Sequence, residues 1–165
     1  MARFRYRMQG ILDIKIKLET QARQEFAQAK NVLDKEEEKL LLLQDDLRRY
    51  EEEAATLLQG KLEVQEILTN KEAIMFTQVS IEEQRIRVEE ARGLVEEARE
   101  RLKDVMQERK VHETLKDKAF EEFLMEEKQQ ESKEIDELTS YIYGQKLLDT
   151  EEESEDVKDG TQTRF

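Results

Sequence analysis

Carboxylates are the most abundant groups in this sequence that could take part in chemistry. Asp and Glu supply 41 of the 165 residues and are spread along the whole chain. Two carboxylates act as general acid and general base only where a desolvated pocket shifts their pKa values. No such pocket is predicted, because 42% of the residues are charged and only 37% are apolar. We therefore interpret the carboxylates as solvated helix surface.

The sequence offers few other groups for catalysis or metal binding. His112 is the only histidine, and there is no cysteine, so no transition-metal site, disulfide or thiol nucleophile is predicted. The five glycines lie too far apart for a phosphate-binding loop. We predict that the protein is not an enzyme and has no cofactor. His112 is interpreted as a helix-packing residue that faces Leu18, with a pH-sensitive contact as the alternative.

A short basic segment near the N-terminus is a candidate for binding. Arg3, Arg5 and Arg7 alternate with Phe4 and Tyr6. The chain as a whole carries a net charge of −13, which argues against nucleic acid as a partner, since phosphate binding needs a basic surface. Two interpretations stay open: an ordinary helix start, or a basic end that docks on an acidic protein surface.

The elements that must position these residues are predicted to be two long helices. The sequence contains no proline, and its apolar residues recur at spacings of three and four, as in a coiled coil. We predict an all-α fold, a long two-helix antiparallel coiled-coil hairpin. Helix 1 is expected over about residues 3–58, the turn over about 59–70 and helix 2 over about 71–146. The acidic segment 149–165 is predicted to be a disordered tail.

Each predicted helix presents one mainly apolar stripe, the seam, to the other. In helix 1 the seam is predicted to change phase between Ala22 and Phe26. Its predicted members are Phe4, Met8, Ile11, Lys15, Leu18 and Ala22, then Phe26, Ala29, Leu33, Glu36, Leu40, Leu43, Leu47, Tyr50, Ala54 and Leu57. In helix 2 they are Ile74, Ile81, Val88, Ala91, Val95, Ala98, Leu102 and Val105. A register with Tyr50 by Ile81 and Leu43 by Val88 gives apolar pairs from Phe26 to Val105.

The sequence also predicts where the protein is located in the cell and its oligomeric state. No apolar run approaches the ~20 residues that span a bilayer, and the stretch after Met1 is too polar for a signal peptide. We expect a cytoplasmic protein without direct membrane insertion. A hairpin that satisfies its own seam is expected to be a monomer when isolated.

Two segments resemble the FliJ family of bacterial flagellar export proteins. They are FRYRMQGILDIKIKLETQARQEFAQAK and ERKVHETLKDKAFEEFLMEEKQQESKEIDEL, and the resemblance covers residues 2 to about 143. It implies an accessory factor or chaperone of flagellar type III protein export that binds the hexameric export ATPase as a stalk-like coiled coil. It also implies contacts with the export gate, a membrane protein, and with export chaperones. The protein would then lie peripherally at the cytoplasmic side of the inner membrane.

The resemblance implies two surfaces for these partners. The terminal surface, expected to bind the ATPase, consists of Arg3, Phe4, Arg5, Arg7, Lys128, Lys133, Glu134 and Asp136. The tip surface, expected to bind the export gate, consists of Leu43, Tyr50, Phe76 and Gln84. Leu43 and Tyr50 also fit plain seam packing, whereas Phe76 flanks the seam.

Two other functions fit the same pattern. A stalk subunit of a rotary ATPase or of a virulence secretion ATPase would need the same long, charged coiled coil. A purely structural coiled-coil protein without a motor partner would need only the seam.

Overall fold

The structure, a computed structural model, describes residues 2–159, with side chains for residues 2–152. It consists of helix α1, Gln9–Leu57, and helix α2, Val64–Asp159. The structure is 91% helical, the two long helices pack against each other, and the described residues form no strand. The predicted fold class, an all-α antiparallel coiled coil of two helices, is therefore confirmed.

The chain divides into two compact units. The hairpin unit is Gly10–His112, and the terminal unit combines Met1–Gln9 with Glu113–Phe165. The absence of proline favours helix formation in both units. In the hairpin unit ion pairs between residues three or four apart add to it, such as Arg92 with Glu89 at 2.8 Å. None of the described helices is long and apolar enough to cross a membrane.

The turn between the helices is shorter than predicted. Gly60 adopts a φ of 76°, a left-handed conformation that residues with a Cβ rarely tolerate, and it lies just after the end of α1. Helix α2 then begins at Val64, so the predicted turn over 59–70 is wrong beyond residue 63. Asn70, which we interpreted as part of the turn, is helical and buried. Its side-chain amide donates a hydrogen bond to the Tyr50 carbonyl oxygen at 3.0 Å.

The outer ends of the helices also differ from the prediction. Helix α1 begins at Gln9 instead of residue 3, and the preceding residues 2–6 are not helical. Helix α2 passes the predicted end near 146 and continues to Asp159, since no proline or glycine interrupts it between Gly144 and Gly160. Residues 149–159, predicted as part of a disordered tail, thus continue α2. Residues 160–165 lie outside the described residues.

Within the hairpin unit the seam holds both apolar and polar side chains. The predicted seam of α1 from Phe26 to Leu57 is half-buried, and that of α2 is fully or half-buried, with Ile81, Val88 and Ala91 among the most buried side chains. Three polar residues fill the remaining seam positions of α2 at heptad spacing. They are Asn70, Thr77 and Gln84, all buried.

The first turns of α1 match the predicted stripe only in part, since Lys15 is half-buried and Ala22 is buried as predicted. Ile11 and Leu18 are exposed, whereas Leu12 and Glu19, one position further along, are buried. The prediction assigned Ile11 and Leu18 to the seam because they are apolar, but Leu12 and Glu19 occupy these positions. Glu19 can be buried there since its carboxylate is paired with arginine side chains.

The register of the hairpin unit is also displaced from the predicted one. Tyr50 was predicted to lie by Ile81, yet its carbonyl oxygen accepts the bond from Asn70. The Gln84 amide likewise donates to the Glu36 carbonyl oxygen at 2.9 Å. Both bonds reach residues of α1 that lie nearer its N-terminus than the predicted partners.

Apolar pairs alone do not distinguish registers that differ by one heptad, because the apolar pattern repeats with each heptad. The prediction compared apolar pairs and did not consider Asn70 and Gln84, whose bonds to α1 depart from the predicted register.

Candidate partner-binding surfaces

Aromatic packing holds the first residues of the terminal unit in place. The Phe4 ring lies 5.0 Å from the Phe120 ring, edge to face, and 5.4 Å from the Phe123 ring of α2. The Ala2 backbone nitrogen donates a hydrogen bond to Glu127 Oε1 at 3.0 Å. Phe4 is half-buried in this arrangement, so it anchors the segment and presents only part of its ring to solvent.

The three arginines of the terminal surface are all exposed. Here Arg3, Arg5 and Arg7 alternate with half-buried Phe4 and Tyr6, and residues 2–6 are not helical. The open interpretation of an ordinary helix start is therefore wrong, because this segment precedes α1. The segment thus carries three exposed positive charges.

The other residues of the terminal surface lie on the part of α2 that follows the Phe4 contact. Lys128, Lys133, Glu134 and Asp136 are exposed, as is every residue from 128 to 152. A shallow cleft of about 230 Å³ lies between the start of the chain and α2. Its lining residues are Ala2, Glu127, Gln130, Glu131 and Glu134. Of the four predicted α2 residues, the structure therefore brings Glu134 to one cleft with the start of the chain.

The tip surface is only partly accessible. Phe76 is 75% exposed, but Leu43 and Tyr50 are half-buried in the seam. Gln84 is only 4% exposed, and its amide nitrogen is bonded to both the carbonyl oxygen and the carboxylate of Glu36. The prediction that Gln84 contacts a partner is wrong for this structure, because its polar atoms face the other helix.

Phe76 has exposed apolar neighbours that the sequence reasoning missed. Met75 and Val79 are also exposed, and they lie within one helical turn of Phe76. We call Met75, Phe76 and Val79 the Phe76 patch. These residues are out of phase with the seam, and that offset is the signal in the sequence that could have identified them.

A charged cluster interrupts the seam of the hairpin unit near the start of α1. The Glu19 carboxylate binds Arg23 at 2.8 Å and also forms an ion pair with Arg109 of α2. The hydrogen bond from Arg23, followed by the charge of Arg109, lowers the pKa of Glu19 despite its burial. Glu19 is thus held ionised within the seam.

A second cross-helix ion pair lies beside this cluster. Lys15 donates to Glu108 Oε2 at 2.7 Å, and this hydrogen bond lowers the pKa of Glu108. His112 lies close enough to Glu108 to favour its ionised form further. The His112 Nδ1 atom is buried without a hydrogen-bond partner among the described residues. Leu18, its predicted neighbour, is exposed, and the suggested pH-sensitive contact of His112 stays a prediction.

The described residues include no group of three His, Cys, Asp or Glu side chains placed to hold a metal ion. The family model described as "Flagellar FliJ protein" matches residues 4–148 of the chain. No curated protein and no solved structure matches it. The match agrees with the resemblance seen in the two sequence segments and covers both helices. The chain therefore belongs to the FliJ family, whose members are non-catalytic coiled-coil components of flagellar protein export.

Proposed function

We propose that this protein is an accessory factor of flagellar export that binds the hexameric export ATPase as a stalk-like coiled coil and links it to the export gate and to export chaperones. The observation that carries the proposal is a family match over residues 4–148 together with an α2 segment, residues 128–152, in which every side chain is exposed. The exposed apolar side chains of this segment include Ile135, Leu138, Ile142, Leu147 and Leu148. The segment therefore has apolar surface that it can bury against a partner.

The terminal surface supports the ATPase contact. Arg3, Arg5 and Arg7 offer positive charge on a segment anchored by Phe4, while Glu134 and Asp136 offer negative charge on α2. Exposed charges of both signs can meet a ring of similar subunits without the shape-specific pockets that a fixed interface needs. The partner surface would therefore present complementary acidic and basic groups.

The Phe76 patch supports the gate contact. Large exposed apolar side chains that lie together on one helix face are typical of protein-binding sites, and aromatic residues often contribute most of the binding energy. Leu43 and Tyr50 can add only the exposed edges of their side chains. Buried Gln84 is left out of the proposed contact.

The chaperone contact and the location of the protein rest on the family alone. An accessory factor that binds the ATPase and the gate would lie at the cytoplasmic side of the inner membrane without inserting into it. The match to a flagellar family also favours this function over the stalk subunit of a rotary or virulence ATPase, and over a purely structural coiled coil.

A strain that lacks the gene tests the proposal. We expect poor swimming, restored by the wild-type gene, and co-purification of the export ATPase with the tagged protein. Retained motility together with no recovered ATPase would contradict the proposal. Recovered ATPase without a motility defect would leave the contact standing but refute the role in export.

A further inference from the structure

The side of α2 that lies opposite the seam carries a row of apolar side chains. Residues seven positions apart share one side of a helix, and residues three or four positions away border them. Val79 and Ile86 are related in this way, and the row also includes Leu68, Met75 and Phe76. All five side chains are at least half exposed. The apolar surface around the Phe76 patch is therefore longer than the patch itself, and the hairpin unit does not use it for its own packing.

A column of glutamates continues this side of α2 beyond Phe76. Glu83, Glu90 and Glu97 follow Phe76 at intervals of seven residues, and all three are exposed. None of them forms an ion pair with another residue in the part of the chain that the structure describes. Their three negative charges thus lie along one edge of the apolar row without a positive neighbour to balance them.

The glutamates one position earlier in the chain show the contrast. Each of them binds the arginine three residues further along α2, at distances of 2.6, 2.8 and 3.4 Å. These pairs are Glu82 with Arg85, Glu89 with Arg92, and Glu96 with Arg99. One column of glutamates is therefore neutralised within the helix, and the column that borders the apolar row is not.

This combination of apolar and charged side chains specifies the kind of partner that fits. Exposed apolar residues at coiled-coil spacing are the surface against which an amphipathic helix packs. Unpaired glutamates along the edge favour a helix whose apolar stripe is bordered by lysine or arginine. Nucleic acid, an anionic membrane surface and the same face of a second copy would all bring negative charge to these glutamates.

The face is also long and unobstructed. From Leu68 to Glu97 it extends over about 44 Å of helix, at ~1.5 Å per residue. Gly93 lies seven residues after Ile86, and a Cβ there would meet nothing within 4 Å. A partner helix of several turns can therefore lie along α2 without a clash at this position.

We propose that the outer face of α2 binds a basic amphipathic helix of a partner protein, which would pack on the hairpin unit as a third helix. The outer face consists of Leu68, Met75, Phe76, Val79, Glu83, Ile86, Glu90 and Glu97. The inference deepens the proposed gate contact and rests on it in taking the Phe76 patch as a binding site. It adds the charged column and the class of segment that the partner presents.

A designed peptide of four heptads serves as the probe. It carries leucine at the two seam positions of each heptad, lysine at the positions that border them, and a fluorescein label. A second peptide has glutamate in place of each lysine. We expect the full chain to bind the basic peptide at least tenfold more tightly than the acidic one in fluorescence anisotropy. The difference should diminish as salt rises, because exposed charges are screened.

The first variant neutralises the unpaired column by Glu83→Gln, Glu90→Gln and Glu97→Gln. It should weaken binding of the basic peptide about tenfold, since each exposed charge pair contributes a few-fold. The matched control makes the same change at three exposed glutamates of α1 that also form no ion pair with a described residue, Glu38, Glu52 and Glu53. It alters the net charge equally and should weaken binding less than threefold.

The second variant removes the apolar row by Val79→Ser and Ile86→Ser. It should weaken binding of the basic peptide at least tenfold, because buried apolar side chains near the centre of a contact contribute most of the affinity. The matched control is Leu41→Ser with Leu42→Ser, at two residues of α1 that are similarly exposed. Circular dichroism checks that every variant keeps its helix content, and light scattering measures the mass of the free chain.

Three results would overturn the inference. One is equal binding of the basic and acidic peptides. Another is equal weakening by either variant and its control. The third is self-association of the full chain that the Val79→Ser, Ile86→Ser variant abolishes, because it would assign the face to a second copy.

Capture of the cytoplasmic domain of the export gate protein separates this inference from the proposed function. Selective binding of the basic peptide without capture of the gate domain by the wild-type chain would refute the gate contact, and the inference would stand. Capture of the gate domain without any preference for the basic peptide would leave the gate contact standing and overturn the inference.

Discussion

Glu19 of α1 is only 6% exposed and forms an ion pair with Arg109 of α2 inside the seam. Arg23 holds the same carboxylate from one turn further along α1. The hydrogen bond from Arg23, the first cause, and the charge of Arg109 keep the pKa of Glu19 below its ordinary value of 4.5. An ionised, buried carboxylate therefore contributes to helix association here, and its contribution must depend on pH.

The direction of this pH dependence follows from the lowered pKa. A group whose pKa is lower in the folded state stabilises that state above its unfolded pKa, and the contribution is lost as the pH falls through the folded pKa. We expect Glu19→Gln to lower the free energy of unfolding by about 1–3 kcal/mol at pH 7. The difference from wild type should shrink below about pH 4.5. Urea unfolding followed by circular dichroism at pH 7 and pH 3 measures this difference in the free energy of unfolding.

The control for this prediction is Glu90→Gln, which neutralises an exposed carboxylate on α2. Acid also protonates other carboxylates and so reduces the repulsion within a chain of net charge −13. The control variant experiences the same general effect and therefore allows it to be subtracted. A constant difference between wild type and Glu19→Gln at both pH values would refute the role of the ionised carboxylate.

Phe4 is expected to hold the N-terminal segment locally, without much effect on the stability of the helices. Phe4→Ala removes both ring contacts, to Phe120 and Phe123, and should raise the rate of trypsin cleavage after Arg5 and Arg7 about tenfold. Phe76→Ala is the matched control, since that ring is largely exposed and should not alter cleavage there. Equal cleavage of wild type and Phe4→Ala would mean that the aromatic contacts do not order the segment.

Two neighbouring residues of α2 separate seam from surface. Val88 is 3% exposed and Ile86 is 61% exposed. Val88→Asp would place an unpaired charge in the seam and should lower the free energy of unfolding by about 3–5 kcal/mol. Ile86→Asp, the same kind of change on the surface, should stay within about 0.5 kcal/mol of wild type. Thermal unfolding followed by circular dichroism compares them, and similar losses would place both residues in the seam.

The helices and most of the seam could be predicted from the sequence, because apolar residues that recur every three and four positions are compatible with few other folds. From Phe26 to Leu57 and from Ile74 to Val105 every predicted seam residue is at least half-buried. The register could not be predicted, since the apolar pattern repeats with each heptad. The bonds of Asn70 and Gln84, which distinguish the registers, depend on side-chain reach that spacing does not reveal.

The terminal surface could be predicted only in part. Exposure of Arg3, Arg5 and Arg7 follows from their charge, but these residues were predicted to be helical, whereas they precede α1. The contact of Phe4 with Phe120 and Phe123 joins residues far apart in the chain. Helical periodicity describes neighbours within one helix and could not predict this contact.

Charge reversal at the terminal surface is expected to weaken ATPase binding. Arg3, Arg5 and Arg7 lie outside α1, so changing all three to Glu should leave helix content unchanged while raising the dissociation constant for the export ATPase about 10–100-fold at low salt. The loss should diminish as salt rises, because exposed charges are screened. Binding of the purified proteins is measured by surface plasmon resonance at several salt concentrations.

The matched control for this charge reversal changes the exposed lysines Lys17, Lys30 and Lys35 to Glu. It alters the net charge by the same amount on the hairpin unit. Equal weakening by both triple variants would attribute the effect to net charge, and it would contradict a specific role of the terminal surface.

Phe76 is expected to contribute more to gate binding than to folding. Its ring is 75% exposed, so Phe76→Ala should leave thermal unfolding nearly unchanged, whereas loss of an aromatic side chain from the centre of a contact typically weakens binding at least tenfold. The measurement is capture of the cytoplasmic domain of the export gate protein by the tagged chain. Val111→Ala, at another exposed apolar residue of α2, is the control and should bind like wild type. Because the ATPase contact is proposed for other residues, the Phe76→Ala variant should still recover the ATPase. Loss of both partners would show that the variant is misfolded or that the two surfaces are not separate.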